Sequence, residues 1–156
     1  MIRVHSRSFA ANLSERIPLR ADDYKVTLMT APQRESLNAL FEEIVGAAYE
    51  VSNTLGAGFL EKVYERALAK ELTLRGIPVR PQVPYQISYK GHAIAEYLAD
   101  LVVDDRLLVE MKCVNALAKE HLAQCLNYLK ASTLPLALLL NFQHSKVVWQ
   151  RVVHNF

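Results

Sequence analysis

Two apolar stretches separated by three charged residues dominate the middle of the chain, AEYLADLVV-DDR-LLVEMKC from Ala95 to Cys113. Runs of this length, rich in Val, Leu and Tyr and bounded by turn residues, predict strands over Ala95 to Val103 and Leu107 to Val114. A further strand is expected over Val83 to Tyr89, ending at a Lys90-Gly91 turn, and two more over Leu136 to Phe142 and Lys146 to Val153. LPLALLL (Leu134 to Leu140) is far shorter than a membrane span and reads as a strand buried on both faces. Elsewhere the period is helical. Leu60, Val63, Tyr64, Ala67, Leu68 and Leu72 make one apolar face of a helix over Phe59 to Arg75, stopped by Gly76 and Pro78. Leu122, Cys125, Leu126 and Leu129 do the same over Ala116 to Ala131, and a first helix is predicted over Ser36 to Leu55. This order is α/β with a mixed sheet flanked by helices. The helix between the Glu110 strand and the Leu138 strand should make those two parallel.

Residues two apart on a strand share a face, so Glu110 and Lys112 project together, ~7 Å apart, while Met111 points into a core. A carboxylate and an ammonium on a central strand are costly to bury without partners or a metal. The turn decides whether Asp100 joins them. A two-residue Asp104-Asp105 loop would set Asp100 against Val109. A three-residue loop, Asp104-Asp105-Arg106, sets it directly across from Glu110, with Cβ atoms ~5 Å apart. Carboxylates that close repel unless a cation lies between them. A hard divalent cation, Mg²⁺ above all, takes such oxygens together with waters and phosphate. The bland alternative, an exposed Glu–Lys pair on a surface hairpin, sits poorly with the apolar run around it.

Two helices add candidates. His121, Gln124 and Tyr128 line a second face of the Ala116 to Ala131 helix, beside its apolar stripe. Glu61 stands at the edge of the Phe59 to Arg75 face, one turn before Tyr64 and Glu65; its ordinary reading is a surface ion pair. Gly56 and Gly58 do not make a dinucleotide loop, because Glu61 stands where the third glycine belongs and no strand precedes them.

Gly58-Phe-Leu-Glu61-Lys-Val-Tyr64 has the form GxxExxY, and with Asp100, Glu110-Met-Lys112 and Gln124-x-x-x-Tyr128 it resembles the GxxExxY family of the PD-(D/E)XK nuclease superfamily. The likeness covers about Leu37 to Val153. Ala99 replaces the proline of the superfamily name. The resemblance implies a restriction-endonuclease-like αβββαβ core and a metal-dependent nuclease, acting on DNA ahead of RNA. Asp100, Glu110 and the Met111 carbonyl would hold Mg²⁺, with Mn²⁺ an alternative, and Glu61 would extend that shell. Lys112 would position or activate the attacking water, while Gln124, Tyr128 and His121 would orient Lys112 or touch substrate. The rival expectation is a nuclease fold that has lost catalysis and binds nucleic acid or a protein partner.

Composition narrows this little further. The chain of 156 residues fits one domain, and a net charge of +2 is compatible with a local basic groove without establishing one. Cys113 and Cys125 lack zinc-finger spacing and read as buried free thiols of a reducing compartment. With no membrane span, a cytoplasmic location is expected, and a homodimer is compatible with the sequence. Residues 1–35 are read as an N-terminal extension outside the core, and 36–156 as the nuclease-like domain. Arg3, Arg7, Arg16 and Arg20 among serines are a weak likeness to a transit peptide, and Met29 could itself be a natural start.

Overall fold

The computed structural model describes residues 2–7 and 29–154. Strand β1 (Ile2–Arg7) precedes helices α1 (Ala31–Leu55) and α2 (Glu61–Leu74). Strands β2 (Val79–Tyr89), β3 (His92–Val103) and β4 (Leu107–Lys112) follow, then helix α3 (Lys119–Ser132) and strands β5 (Leu136–Asn141) and β6 (Val148–His154). They form one sheet in the order β1-β6-β5-β4-β3-β2. The α3 crossover makes β4 and β5 parallel, as expected, and the other neighbours are antiparallel.

Helix α1 begins at Ala31 rather than Ser36 because Thr30 caps it. The Thr30 hydroxyl accepts the Gln33 N–H, and the Gln33 side chain accepts the Thr30 N–H at 2.8 Å, a reciprocal capping box. Pro32 occupies the first turn, where its missing N–H costs nothing. The helix thus crosses the expected boundary at residue 35, and β1 pairs with β6 along its length. Arg16 and Arg20 lie outside the described residues. Strand β2 starts at Val79 and runs through Pro81 and Pro84, which an edge strand tolerates.

Two cores sandwich the sheet. Helices α1 and α2 cover one face through Leu37, Ile44, Leu68 and Leu72, against Leu101, Val109, Met111 and Leu138. Helix α3 covers the other through Cys125, Leu126 and Leu129, against Val102, Leu108, Ala137 and Leu139. Strand β5 is buried on both faces. Cys125 belongs to the α3 core, whereas Cys113 packs at the margin of the opposite core and is half-buried, not buried as expected. No helix among the described residues is long and apolar enough to cross a membrane.

The β2–β3 hairpin departs from simple pleating. Alternation would put Ala99 and Leu101 on one face, yet Ala99 packs with α3 and Leu101 with α1 and α2. In β2, Val79 and Val83 split between the cores in the same way, and between them Gln82 has a φ of 52°. The outer hairpin is therefore rolled onto α3, and the break falls at Asp100.

Candidate active site

The turn after β3 is the three-residue one. Val103 pairs with Leu107 and Leu101 with Val109, which brings Asp100 level with Glu110. Asp104 and Asp105 take left-handed backbone angles, φ 51° each, a conformation that Asp tolerates better than most residues. The Arg106 N–H closes the loop on the Val103 carbonyl at 3.1 Å, and the Arg106 guanidinium reaches the Ser36 hydroxyl of α1 at 2.9 Å.

The β3–β4 ladder runs from Val103 to Leu101, and the strands part at Asp100. There the Asp100 side chain replaces the ladder: its Oδ2 accepts the Met111 N–H at 2.8 Å. A residue's N–H and carbonyl leave a strand toward the same neighbour, so the Met111 carbonyl also faces the gap beside Asp100. Lys112 is held on the opposite side, its carbonyl accepting the Phe142 N–H at 2.9 Å. Asn141, which pairs with Lys112 in register, clamps the strand's exit by donating to the Val114 carbonyl at 2.7 Å and accepting the Val114 N–H at 3.1 Å.

Glu110 is 2% exposed. Its Oε1 accepts from Lys112 Nζ at 2.7 Å, while Oε2 is buried with no hydrogen-bond partner. Burial above all, and then the charge of Asp100, push the Glu110 carboxyl up to about 7; the Lys112 bond pulls the other way. The Asp100 carboxyl is also raised, first by burial and then by Glu65 and Glu61, against the Met111 N–H and Lys112. Burial opposes the charge on Lys112, but its bond to Glu110 and the surrounding carboxylates outweigh it and hold its pKa above the ordinary lysine value. The cluster has more negative charge than one ammonium can balance. An orphaned buried oxygen, a neighbouring carboxylate and a carbonyl facing the same gap are the donor set that a hard divalent cation takes. Among the described residues no group of three His, Cys, Asp or Glu gathers closely enough to hold an ion, so the remaining positions would fall to water or phosphate oxygens.

Glu61 opens α2 and is half-exposed. Its charge acts on Asp100, Glu110 and Lys112, and it has no hydrogen-bond or ion-pair partner among the described residues. The Lys62 ion pair, which would be its ordinary reading, is made by Glu65 instead. Glu65 is buried, held by Lys62 Nζ at 2.7 Å and 2.8 Å and by Gln82 Nε2 at 2.9 Å. It acts on Asp100 more strongly than Glu61 does. Sequence reasoning passed over Glu65 and Gln82. The available signal was the one-turn spacing from Glu61, which puts both carboxylates on one side of α2.

Three of the expected site residues are engaged in local bonds, and none of them bonds Lys112. Gln124 donates to the Tyr128 hydroxyl at 3.4 Å and does not reach Lys112. Tyr128 is buried and donates to the Leu98 carbonyl at 2.7 Å, pinning β3 to α3 two residues before Asp100. His121 accepts the Ala118 N–H at Nδ1, 3.0 Å away, and so caps α3. Ala118 has no side-chain acceptor, so this bond is the cap the helix entry has, and local satisfaction of a free N–H accounts for the histidine.

The Asp…Glu-x-Lys cluster thus lies on a central strand, at the point where two strands separate. The chain matches the family model of the PD-(D/E)XK nuclease superfamily over residues 38–152 and belongs to that superfamily. Its α/β sheet and flanking helices are the restriction-endonuclease-like arrangement. Comparison with curated proteins and with solved structures finds no match.

Proposed function

We propose that this protein is a divalent-cation-dependent nuclease of the GxxExxY type that hydrolyses phosphodiester bonds, in DNA ahead of RNA. The observation that carries the reading is the buried Glu110 Oε2 left without a partner beside Asp100, while Lys112 holds the other oxygen at 2.7 Å. A buried carboxylate oxygen without a partner is costly, and a cation bound between Glu110 and Asp100 would remove that cost. Asp100, Glu110 and the Met111 carbonyl would hold Mg²⁺ or Mn²⁺, and Glu61 would add charge from the helix side. Such an ion lowers the pKa of a coordinated water and neutralises charge on the phosphate. Lys112, fixed by Glu110, would present its ammonium to the charge that develops on phosphate oxygens. Tyr128 and Gln124 act one step back, by fixing β3 where Asp100 leaves it.

Calorimetric titration with Mg²⁺ tests the reading. Wild type should bind the ion with proton release near neutral pH, since raised carboxyls must deprotonate to bind, and Asp100→Ala should not. Labelled duplex, single-strand, flap and junction substrates with Mg²⁺ or Mn²⁺ then report cleavage, and no binding and no cleavage of any of them would overturn it.

Glu61→Gln gives a separate prediction. Glu61 lies in the first turn of a helix with no side-chain N-cap, so losing its charge sacrifices roughly 0.3–1 kcal/mol of dipole interaction while relieving repulsion on Asp100 and Glu110. The melting temperature should stay nearly level and Mg²⁺ affinity should fall. An unfolded variant, or one with wild-type Mg²⁺ affinity, would make Glu61 a structural residue.

A further inference from the structure

Beyond Asp100 the β2–β3 hairpin leaves the sheet body, with Tyr89 61%, Ile94 63%, Tyr97 39% and Leu98 48% exposed. Because the pleat breaks at Asp100, this arm lies over α3 and borders two adjoining open clefts with it. The inner one, about 330 Å³, is lined by Tyr97, Gln124, Asn127 and Tyr128, with Glu120 its one carboxylate. The outer one, about 380 Å³, shares Tyr97 and Asn127 and continues to Gln86, Ser88 and Lys130. The two form one trough. Its inner end is at Tyr128, which is bonded to the Leu98 carbonyl two residues from Asp100 and feels the charges of Glu110, Asp100 and Lys112.

We infer that this trough holds unpaired nucleotides of a single strand, with a base stacked on Tyr97, and that it leads the strand into the Asp100–Glu110 site. The chemistry of the walls selects this occupant. Tyr97 stands edge-on to the Tyr128 ring, centroids 5.8 Å apart, and is braced there while remaining exposed. A braced, exposed aromatic is a stacking platform that accepts any base. The side-chain amides of Gln86, Gln124 and Asn127 offer donors and acceptors to a base edge, and Lys130 at the outer end suits a backbone phosphate. Each cleft has the volume of a small-molecule site, room for an unpaired base and its sugar. The substrate class is therefore nucleic acid with a single-stranded segment: an overhang, a flap or a free strand.

This inference rests on the nuclease reading for the direction of the strand, so binding and cleavage are measured separately. Affinity of the full chain for a short fluorescein-labelled oligothymidine and for a blunt duplex is measured by anisotropy in Ca²⁺, with cleavage assayed in Mg²⁺. The single strand should bind at least about tenfold tighter than the duplex. Tyr97→Ala should weaken it by roughly five- to a hundredfold, the range for a lost stacking platform, and Tyr97→Phe should retain it. Lys130→Gln, at an exposed helix position, should lower the salt dependence by about one phosphate contact and serves if Tyr97→Ala fails to fold. Equal affinity for strand and duplex, or binding indifferent to both Tyr97→Ala and Lys130→Gln, overturns the trough even where cleavage is intact. Tight, Tyr97-dependent strand binding without cleavage supports the trough and overturns the nuclease reading alone.

Discussion

Glu110→Gln will melt above the wild type in EDTA at pH 8, yet cleave at least about a hundred- to a thousandfold more slowly, the loss typical of one group that stabilises transition-state charge. The opposite signs come from one cause. Glu110 is buried with one oxygen orphaned and Asp100 alongside, so its carboxyl is pushed from 4.5 up to about 7. Between those two pH values the folded protein keeps a proton that the unfolded chain has lost. Stability therefore falls as pH rises through this window, and the penalty is complete above about pH 7. Its ceiling is about 3 kcal/mol at 1.36 kcal/mol per unit. Gln keeps the shape and removes the charge, and Lys112 still has Asp100 and Glu61 nearby to balance it. The net gain should accordingly be smaller, about 1–2 kcal/mol. Melting curves from pH 5 to pH 8 should slope downward for wild type and run flatter for the variant. Added Mg²⁺ should raise the wild-type melting temperature more at pH 8 than at pH 6, because protons compete for the same oxygens. Lys112→Ala should also abolish cleavage, and by stripping Glu110 of its remaining partner it should steepen the pH dependence. A Glu110→Gln protein with the wild-type pH profile, or undiminished cleavage by Lys112→Ala, would remove the site from this strand.

The same stretch shows where reading the chain succeeds and where it stops. Strand type, the parallel β4–β5 pair and the apolar stripe of α3 follow from periodicity, because burial on one face or two leaves a direct trace in residue order. The level of Asp100 with Glu110 was legible as one of two turn lengths, and tertiary contacts of the turn select it: the Asp104 N–H bonds the Pro78 carbonyl at 2.7 Å, and Arg106 reaches Ser36. The break in the pleat was not legible. AEYLADLVV is apolar except at Glu96 and Asp100, and nothing within it signals that Ala99 and Leu101 serve different cores. The break depends on Gln82 across the ladder, whose left-handed backbone and bond to Glu65 tie β2 to α2. Local residue order cannot report a partner drawn from another element. For the same reason Glu65, an ordinary helix carboxylate in the sequence, proved buried, and Gln124 and Tyr128 proved to hold β3 rather than Lys112.

Tyr64→Ala should cost about 3–5 kcal/mol of folding free energy, the range for truncating a buried aromatic. The ring is fully buried and stacks on Phe142, centroids 4.6 Å apart and planes within 10°. Phe142 follows Asn141, the residue that clamps the end of β4, so the stack joins α2 to the strand end behind Lys112. The hydroxyl does a second job. It donates to the Gly56 carbonyl at 2.7 Å and accepts the Phe59 N–H at 3.2 Å, closing the loop between α1 and α2. That loop needs the closure: Gly56 and Gly58 have φ of 72° and 102°, and Leu60 caps α2 with no side-chain bond. Tyr64→Phe keeps the stack and strands both backbone groups, so it should cost less, about 1–3 kcal/mol. The loop leads directly into Glu61, so Tyr64→Phe should also loosen the placement of that carboxylate and weaken Mg²⁺ binding in proportion to Glu61's share. Urea unfolding of the three proteins in EDTA, at unchanged slope, gives the stability order wild type, Phe variant, Ala variant. A Phe variant as stable as wild type would mean that the hydroxyl does not hold the loop, and an Ala variant within about 1 kcal/mol of wild type would place Tyr64 outside the core.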